Sequence, residues 1–502
     1  LIFFFMKVKN YFTLLLFFIF FHSHSQTIDD IIRVSSYYND GTARFNAMGG
    51  AFSALGGDLS AISVNPASSS IFTYNEFGIT MGLDAIKIEN DFNGYLSETK
   101  SLEETVNQLG AVWVFTNGKA KFSFAYNLQN LYSYNDDFSF SANNSNSIDK
   151  YFLYYADGVP SDDLLIYSDE TTQSVYQLLG ENYGFGDQQA FLGYQGFIIN
   201  SLDNSNNTYE TNASYNQVLQ DITIKRIGNH YKHSLNIGGS YNNHVFLGAN
   251  LNFHGIEFQE RKIFNESGYS NNSNLQNVNF NEYYNSNGFG FSIQLGSIIK
   301  VKNFRIGLSY QSPTWIDFEE ENEQTLETEV ISDNQIKTYN IDPRTVNIYD
   351  KYRLRLPSKS TIGFSHIFAQ RGLISLDYEI TKYNNAMFPD DDDNYLNELN
   401  YIIDNELYAT AQSIRLGGEY RIKNNSLRAG VFHYKGPENL NGNKINGFSI
   451  GYGINFGGQK FDISYVSQSS YFTNKLYPKG LTSPYTTDKS VNRIIASYHF
   501  NF

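Results

Sequence analysis

Residues 446–456 read Asn-Gly-Phe-Ser-Ile-Gly-Tyr-Gly-Ile-Asn-Phe, so that Phe448, Ile450, Tyr452, Ile454 and Phe456 alternate with Ser449, Gly451, Gly453 and Asn455. A period of two places the large apolar side chains on one face of a strand and the small or polar ones on the other. Alternation of this kind over ~10 residues marks a strand that crosses a membrane as part of a closed barrel, apolar toward lipid and polar toward the lumen. The pattern recurs. Phe122, Phe124, Tyr126 and Leu128 alternate with Lys121, Ser123, Ala125 and Asn127. Val245, Leu247, Ala249, Leu251 and Phe253 form another such face, and Phe289, Phe291, Ile293 and Leu295 a further one.

Extended along the chain, the pattern predicts fourteen strands near 76–88, 108–116, 119–131, 231–241, 245–257, 288–299, 303–311, 360–368, 372–381, 411–422, 426–434, 446–456, 459–467 and 490–502. The gaps alternate between long and very short. Asn117-Gly118, Asn242-Asn243, Asn424-Asn425 and Gly457-Gly458 sit in tight hairpin turns, whereas 132–230, 258–287, 312–359 and 382–410 are long and polar. Short periplasmic turns and long extracellular loops give this asymmetry, and an even strand number puts both mature ends on the periplasmic side. The expected fold is all-β: a transmembrane antiparallel barrel of about fourteen strands over residues 76–502. A secreted β-sandwich or propeller would show neither the strict gap alternation nor, without a repeat, its own period.

Composition agrees. The 39 Tyr and 41 Phe bring aromatics to 16% against 17% charged residues, as expected where aromatic girdles line both membrane interfaces. Lys7 and Lys9 precede the apolar run Leu14–Phe21, and Ser23, His24 and Ser25 offer small residues before Gln26, which reads as a signal peptide over 1–25 with Met6 as the expected start. That run falls short of the ~18 residues a spanning helix needs, and no later run exceeds it, so a helical membrane protein is excluded. The formal charge of -15, or -17 without Lys7 and Lys9, excludes nucleic acid as a partner. With no cysteine, disulfides, thiolate metal sites and cysteine nucleophiles are ruled out.

Between the signal and the first strand, residues 26–75 hold a small-residue core: Ala43-Arg-Phe-Asn-Ala-Met-Gly49-Gly50-Ala-Phe52, then Ala54-Leu-Gly56-Gly57-Asp58 and Ser63-Val-Asn65-Pro66-Ala67. This Gly-rich run, followed by Asn-Pro-Ala and then a strand, resembles the FadL/TodX family of outer-membrane transporters for hydrophobic compounds, in the form found across the Bacteroidetes. Leu376-Asp-Tyr-Glu379 with Tyr383-Asn-Asn-Ala386, and Leu427-Arg-Ala-Gly430 with the turn Tyr434-Lys-Gly-Pro437, extend the resemblance. It covers the two ends and the last third of the chain; the span 134–230 matches nothing in the family. The resemblance implies a fourteen-strand barrel, an N-terminal hatch folded into the lumen, ligand leaving sideways through the wall, and passive uptake of hydrophobic small molecules such as long-chain fatty acids, with no catalysis and no cofactor. Relatives labelled hemin receptors, and FadL-like barrels resembling components of the type IX secretion system, supply alternatives. Physically, a segment inside an already lined lumen must be thin, which suits Gly and Ala, and Asn65-Pro66 supplies a turn before the first strand. Phe45, Met48, Phe52, Leu55 and Leu59 interleave the glycines as apolar anchors that a free linker lacks.

The last strand ends Ile494, Ala496, Tyr498, Phe500, Phe502, an aromatic ladder resembling the assembly signal of outer-membrane proteins. It implies the barrel-assembly machinery, outer-membrane lipid and lipopolysaccharide as partners. Counting by two from the lipid face puts Arg305, Arg415, Arg428 and Arg493 in the lumen with Asp377, Glu379, Glu419 and Asp462. An arginine on the lipid face at mid-depth would cost ~2–4 kcal/mol. These charges either pair across strands and anchor the hatch, or leave an arginine for a ligand carboxylate.

Other chemistry is weaker. Gly447-Phe-Ser449-Ile-Gly451 with Asp488 and His499 matches the nucleophile elbow and its partners in order, but Ser449 falls in mid-strand where an elbow needs a strand-to-helix turn. His230 and His233 would face opposite sides of a strand, which opposes joint ligation of a haem. The run Asp390–Asp393 reads as a solvated loop tip rather than a cation site.

Overall fold

The structure, a computed structural model, describes residues 28–35, 40–202, 207–368, 371–389, 394–406, 410–436 and 444–502. The signal-peptide segment, Gln26, Asp390–Asp393 and Pro437 lie outside the described residues. The wall has fourteen positions: β1 (Glu76–Phe92), β2 (Tyr95–Asn117), β3 (Ala120–Ser133, continued by Asp136–Asn144), β4 (Val218–Tyr241), β5 (Val245–Ser267), β6 (Leu275–Val301) and β7 (Phe304–Gln311, continued by Thr314–Ser332). They continue with β8 (Tyr352–Leu356 and Ser358–Phe368), β9 (Gly372–Lys382), β10 (Thr410–Ile422), β11 (Asn425–Lys435), β12 (Lys444–Asn455), β13 (Gln459–Lys475) and β14 (Pro484–Asn501). Each is antiparallel to its neighbours, and β14 pairs back onto β1 from Asn501 opposite Glu76 to Thr486 opposite Asp91, which closes the barrel. All fourteen expected strands are present. The short turns fall where expected, with Asn242 and Asn243 at φ 55° and 57° and Gly118 and Gly457 also left-handed.

The strands run far beyond the membrane. Residues 258–287 form most of a hairpin that continues β5 and β6, and 312–359 holds the continuation of β7, the start of β8 and the extra strand Gln335–Ile341. They are largely paired strands, where their length and polarity predict loops. The reason is a change of phase. In β1, Ile79, Met81 and Leu83 face outward, yet further along Ile86, Ile88 and Phe92, on the opposite parity, are buried inside. In β5, Val245, Leu247 and Leu251 point out whereas Ile256, Phe258 and Phe264 point in. In β7, Trp315 is the last apolar outward residue before the exposed pairs Asp317–Arg353 and Lys351–Glu319. Below that level the greasy face meets lipid; above it, the same alternation inverted packs an interior.

That interior is a cap. Residues 132–230 supply the continuation of β3, helices α4 (Asp149–Ala156), α5 (Thr172–Asn182) and α6 (Phe185–Gln195), and a small hairpin, and then the first part of β4. Phe152, Tyr176, Leu179, Phe191 and Leu192 pack against Phe264, Phe280 and Leu326 of the wall and against Tyr477 of the β13–β14 connection in one apolar cluster. A second cluster joins Ile31 and Val34 of α1 (Ile28–Ser35) to Phe258, Phe318, Tyr383 and helix α7 (Asn394–Glu406). At the opposite end, beside the short turns, residues 40–72 fill the lumen.

Candidate functional site

The hatch is a chain of short turns. Helix α2 (Ala43–Ala47) starts at Thr42, whose Oγ1 accepts from Phe45 N at 3.1 Å, and it ends in Gly49 and Gly50 at φ 60° and 76°. Gly56 and Gly57 are likewise left-handed, at 64° and 66°, which any Cβ would strain. Asn65 caps the 3-10 turn Pro66–Ile71, its Oδ1 accepting from Ala67 N at 3.1 Å, with Pro66 at the first position where no N–H is needed. Its Nδ2 donates to Ser53 O at 2.7 Å and to Ser297 O of the wall at 3.1 Å. Phe45, Met48, Phe52, Leu55 and Leu59 are all buried, as anchors. Close approach is built into the wall as well: a Cβ on Gly417 would strike Met48, one on Gly430 would strike Gly49, and one on Gly248 would strike Pro66.

Polar contacts tie the hatch to the wall on every side. Asn236 donates to Pro66 O at 2.9 Å, Asn250 to Ile62 O at 2.8 Å, and Gln294 to Val64 O at 3.0 Å. Ser53 donates its N–H and hydroxyl to Asp377 at 2.8 and 2.6 Å, and Arg44 reaches Glu419 at 2.9 Å.

The four lumen arginines fall inside the barrel but in different roles. Arg428 bridges Glu419 and Asp462 at 2.7 and 2.6 Å. Arg493 holds Asp84 at 2.8 Å and the hatch residue Asp40 at 3.4 Å. Arg305 donates to Leu55 O at 2.6 Å. Arg415 meets Glu379 at 3.0 Å and Asp377 at 4.0 Å, yet its Nε and Nη1 are buried with no partner. Unsatisfied guanidinium donors in a dry interior cost ~1–3 kcal/mol each, which makes them strong acceptor seekers.

Arg415 faces a cavity of about 60 Å³ between α1 and the hatch. Its lining mixes Arg415, Arg493, Lys359 and Glu379 with Phe432, Ile445 and Val466; Ser35 closes it from α1, and Asn46 and Gly49 from the hatch. Arg415 and Arg493 were legible in the sequence. Continuing the same parity from Arg428 reaches Gly430, Phe432 and Tyr434, and from Asp462 reaches Val466 and Gln468, so this wall was readable too. Lys359 was not, because it lay at the edge of a supposed loop. The sequence also gave no sign of the buried pair His230 Nε2 and His254 Nδ1, 3.0 Å apart. His233 points outward to the Tyr126 hydroxyl at 2.8 Å, opposite to His230, as parity requires.

The formal hydrolase triad is not assembled. Ser449 pairs with Val466 of β13, whereas His499 lies opposite Lys460 and Asp488 opposite Tyr471, which separates the serine from either by roughly 17–20 Å along the strands. Instead His499 contacts Glu76 at 3.2 Å. Among the described residues no group of three metal-ligating side chains occurs.

A crystal structure of a Pseudomonas aeruginosa FadL homologue superposes with a TM-score of 0.53 at 11% identity, covering 93% of this chain and 99% of that one. The deltaS2 mutant of the TodX monoaromatic hydrocarbon channel gives 0.50 at 13% identity, covering 92% of this chain and 99% of that one. The chain has the FadL-type outer-membrane barrel fold. At such low identity the likeness speaks for the fold alone. No protein-family model and no curated protein matches the sequence.

Proposed function

We propose that this FadL-type barrel takes up hydrophobic small molecules across the outer membrane, passively and without a cofactor, and that long-chain acids are among them. The observation that carries the reading is the cavity at Arg415, where apolar walls meet a buried guanidinium with two free donors above a hatch of short turns. A carboxylate oxygen would accept a charge-assisted hydrogen bond from one of those donors, while Phe432, Ile445 and Val466 would take the adjoining carbons. The 60 Å³ seen is far below the ~300–1,000 Å³ of a drug-sized pocket, so loading requires α1 or the hatch to shift. The short-turn end is then periplasmic and the cap faces outward, with lipopolysaccharide around the charged pairs above the belt. Arg305, Arg428 and Arg493 act as scaffold in this reading. The test is binding of oleate and oleyl alcohol to the purified protein and to Arg415→Gln. A loss of at least tenfold for the acid, with the alcohol unchanged, supports it; equal losses, or none, refute it.

A closed lumen also favours a second reading, a structural or secretion-associated barrel in which the hatch is a permanent plug. Cells lacking the protein would then take up oleate normally but assemble or secrete surface proteins poorly.

A further inference from the structure

The hatch end opens into a vestibule of about 440 Å³, bounded by the hatch on one side and the turns of β8 to β13 on the other. Seven cationic side chains line it against three carboxylates, in a chain whose formal charge is -15. The carboxylates are already engaged: Glu419 by Arg44, Arg421 and Arg428, Asp462 by Arg428, and Glu76 by Lys460 and His499. Arg305, Arg371 and Lys423 therefore remain with no carboxylate among the described residues. Register places them along one arc of the rim. Arg305 of β7 lies opposite Ser365 of β8, Arg371 sits in the turn between β8 and β9 and accepts from Arg421 N at 2.7 Å through its carbonyl, and Lys423 occupies the next turn. Arg305 gives one donor to Leu55 O, and its buried Nε has no partner. Leu55, Ile71, Phe72 and Leu373 add apolar surface beside these cations.

We infer that this vestibule is a second ligand station, one that binds the anionic head of a single-chain amphiphile. Its place on a route of uptake rests on the reading above; the anion site stands on its own lining. Carboxylate and phosphate heads share the required chemistry, since both offer paired oxygens to a guanidinium fork. The apolar surface selects a chain-bearing anion over a free ion. Exposed cations such as Arg371 and Lys423 act over short range and are screened by salt, so the site weakens as ionic strength rises.

The experiment uses the intact protein in nanodiscs and measures binding of octanoate, octyl phosphate, octanol, inorganic phosphate and a Glu-rich hexapeptide at low and high salt. Expected is a loss of tenfold or more for octanoate and octyl phosphate in Arg305→Gln/Arg371→Gln/Lys423→Gln, with octanol unchanged and the charge-retaining Arg305→Lys/Arg371→Lys/Lys423→Arg binding nearly as the parent. Should the triple Gln variant fold poorly, Arg371→Gln/Lys423→Gln, both in exposed turns, carries the same test with a smaller loss. Unchanged octanoate binding in these variants, an equal loss for octanol, or phosphate or hexapeptide binding as tightly as octanoate overturns the inference. Arg415→Gln separates the two sites: weaker oleate binding there with unaltered octanoate binding leaves both standing. A vestibule effect in a protein that takes up no hydrophobic compound leaves the anion site and removes the transport reading.

Discussion

The hatch and the cap fill the same lumen by opposite means. Residues 40–72 contribute only small apolar clusters and are held by hydrogen bonds and ion pairs from wall side chains, Asp377, Glu419, Asn236 and Gln294 among them. The cap is one large apolar cluster reaching from Ile86 to Val491. Each Phe or Leu buried there stabilises by about 1.5–3 kcal/mol, and the attraction is nondirectional. A net neutral hydrogen bond contributes about 0.5–1.5 kcal/mol but demands one geometry. A plug held by many directional bonds is rigid in place, and it can step between registers if the bonds exchange. A plug held by grease resists any small shift and yields only by opening. Movement during transport is therefore expected at the hatch, with the cap a stable lid.

The largest effect should come from the cap core. Phe152 of α4 is fully buried and its ring lies 5.6 Å from that of Phe280, so Phe152→Ala should cost ~3–5 kcal/mol. Limited proteolysis should then cut within 145–202, while the heat-modifiable barrel band and the hatch stay intact; protection equal to the parent would contradict the division of labour. Next comes pH. Glu266, in the part of β5 that projects beyond the belt, takes bonds from Ser147 Oγ at 2.5 Å, from Ile148 N at 3.0 Å and from the Tyr269 hydroxyl, and burial pushes its carboxyl up to about 7. A carboxyl raised in the folded state stabilises fully below its ordinary value near 4.5 and loses that contribution as pH climbs through 7. Amide protection in α4, corrected for intrinsic exchange, should fall between pH 4.5 and 7 by on the order of 3 kcal/mol of local stability, and Glu266→Gln should abolish that fall. At the hatch, Asp377→Asn leaves Ser53 with a neutral acceptor and Arg415 with one carboxylate fewer, at a cost of ~1.5–3 kcal/mol. Faster exchange confined to residues near Ser53 is the expected readout, with the cap unmoved.

The difference between the two regions also explains what could be read from the sequence. Gly49, Gly50, Gly56 and Gly57 are needed at left-handed turns, and Asn65-Pro66 caps a turn, so the hatch carries its own local punctuation. Arg415 and Arg493 stand between lipid-facing neighbours, where a charge can only point inward. The cap has no such signal. Its strands keep the period of two but invert its phase after Leu83 in β1 and after Phe253 in β5, so a search for apolar-outward alternation stops at the membrane surface. Arg371 and Lys423 lie in turns, where parity is lost, and their convergence on one vestibule depends on the order in which the strands close.

The smallest effect is expected outside both regions. Phe502 packs edge-on to Trp113 with centroids 6.3 Å apart, an aromatic pair contributing ~0.5–1.5 kcal/mol, and its removal should lower folded yield in the outer membrane without changing export, cap protection or hatch exchange. Unchanged yield would remove its role in assembly.

The measurement that bears most directly on the hatch as a gate uses the absence of cysteine. Ser69 of the hatch and Ser123 of β3 have hydroxyls 2.9 Å apart, a spacing from which Ser69→Cys/Ser123→Cys can close a disulfide. Uptake of labelled oleate by cells carrying this variant should be low when oxidised and return to the parent rate on reduction. Equal uptake in both states, with the disulfide confirmed by mass spectrometry, would show that the hatch does not move for passage.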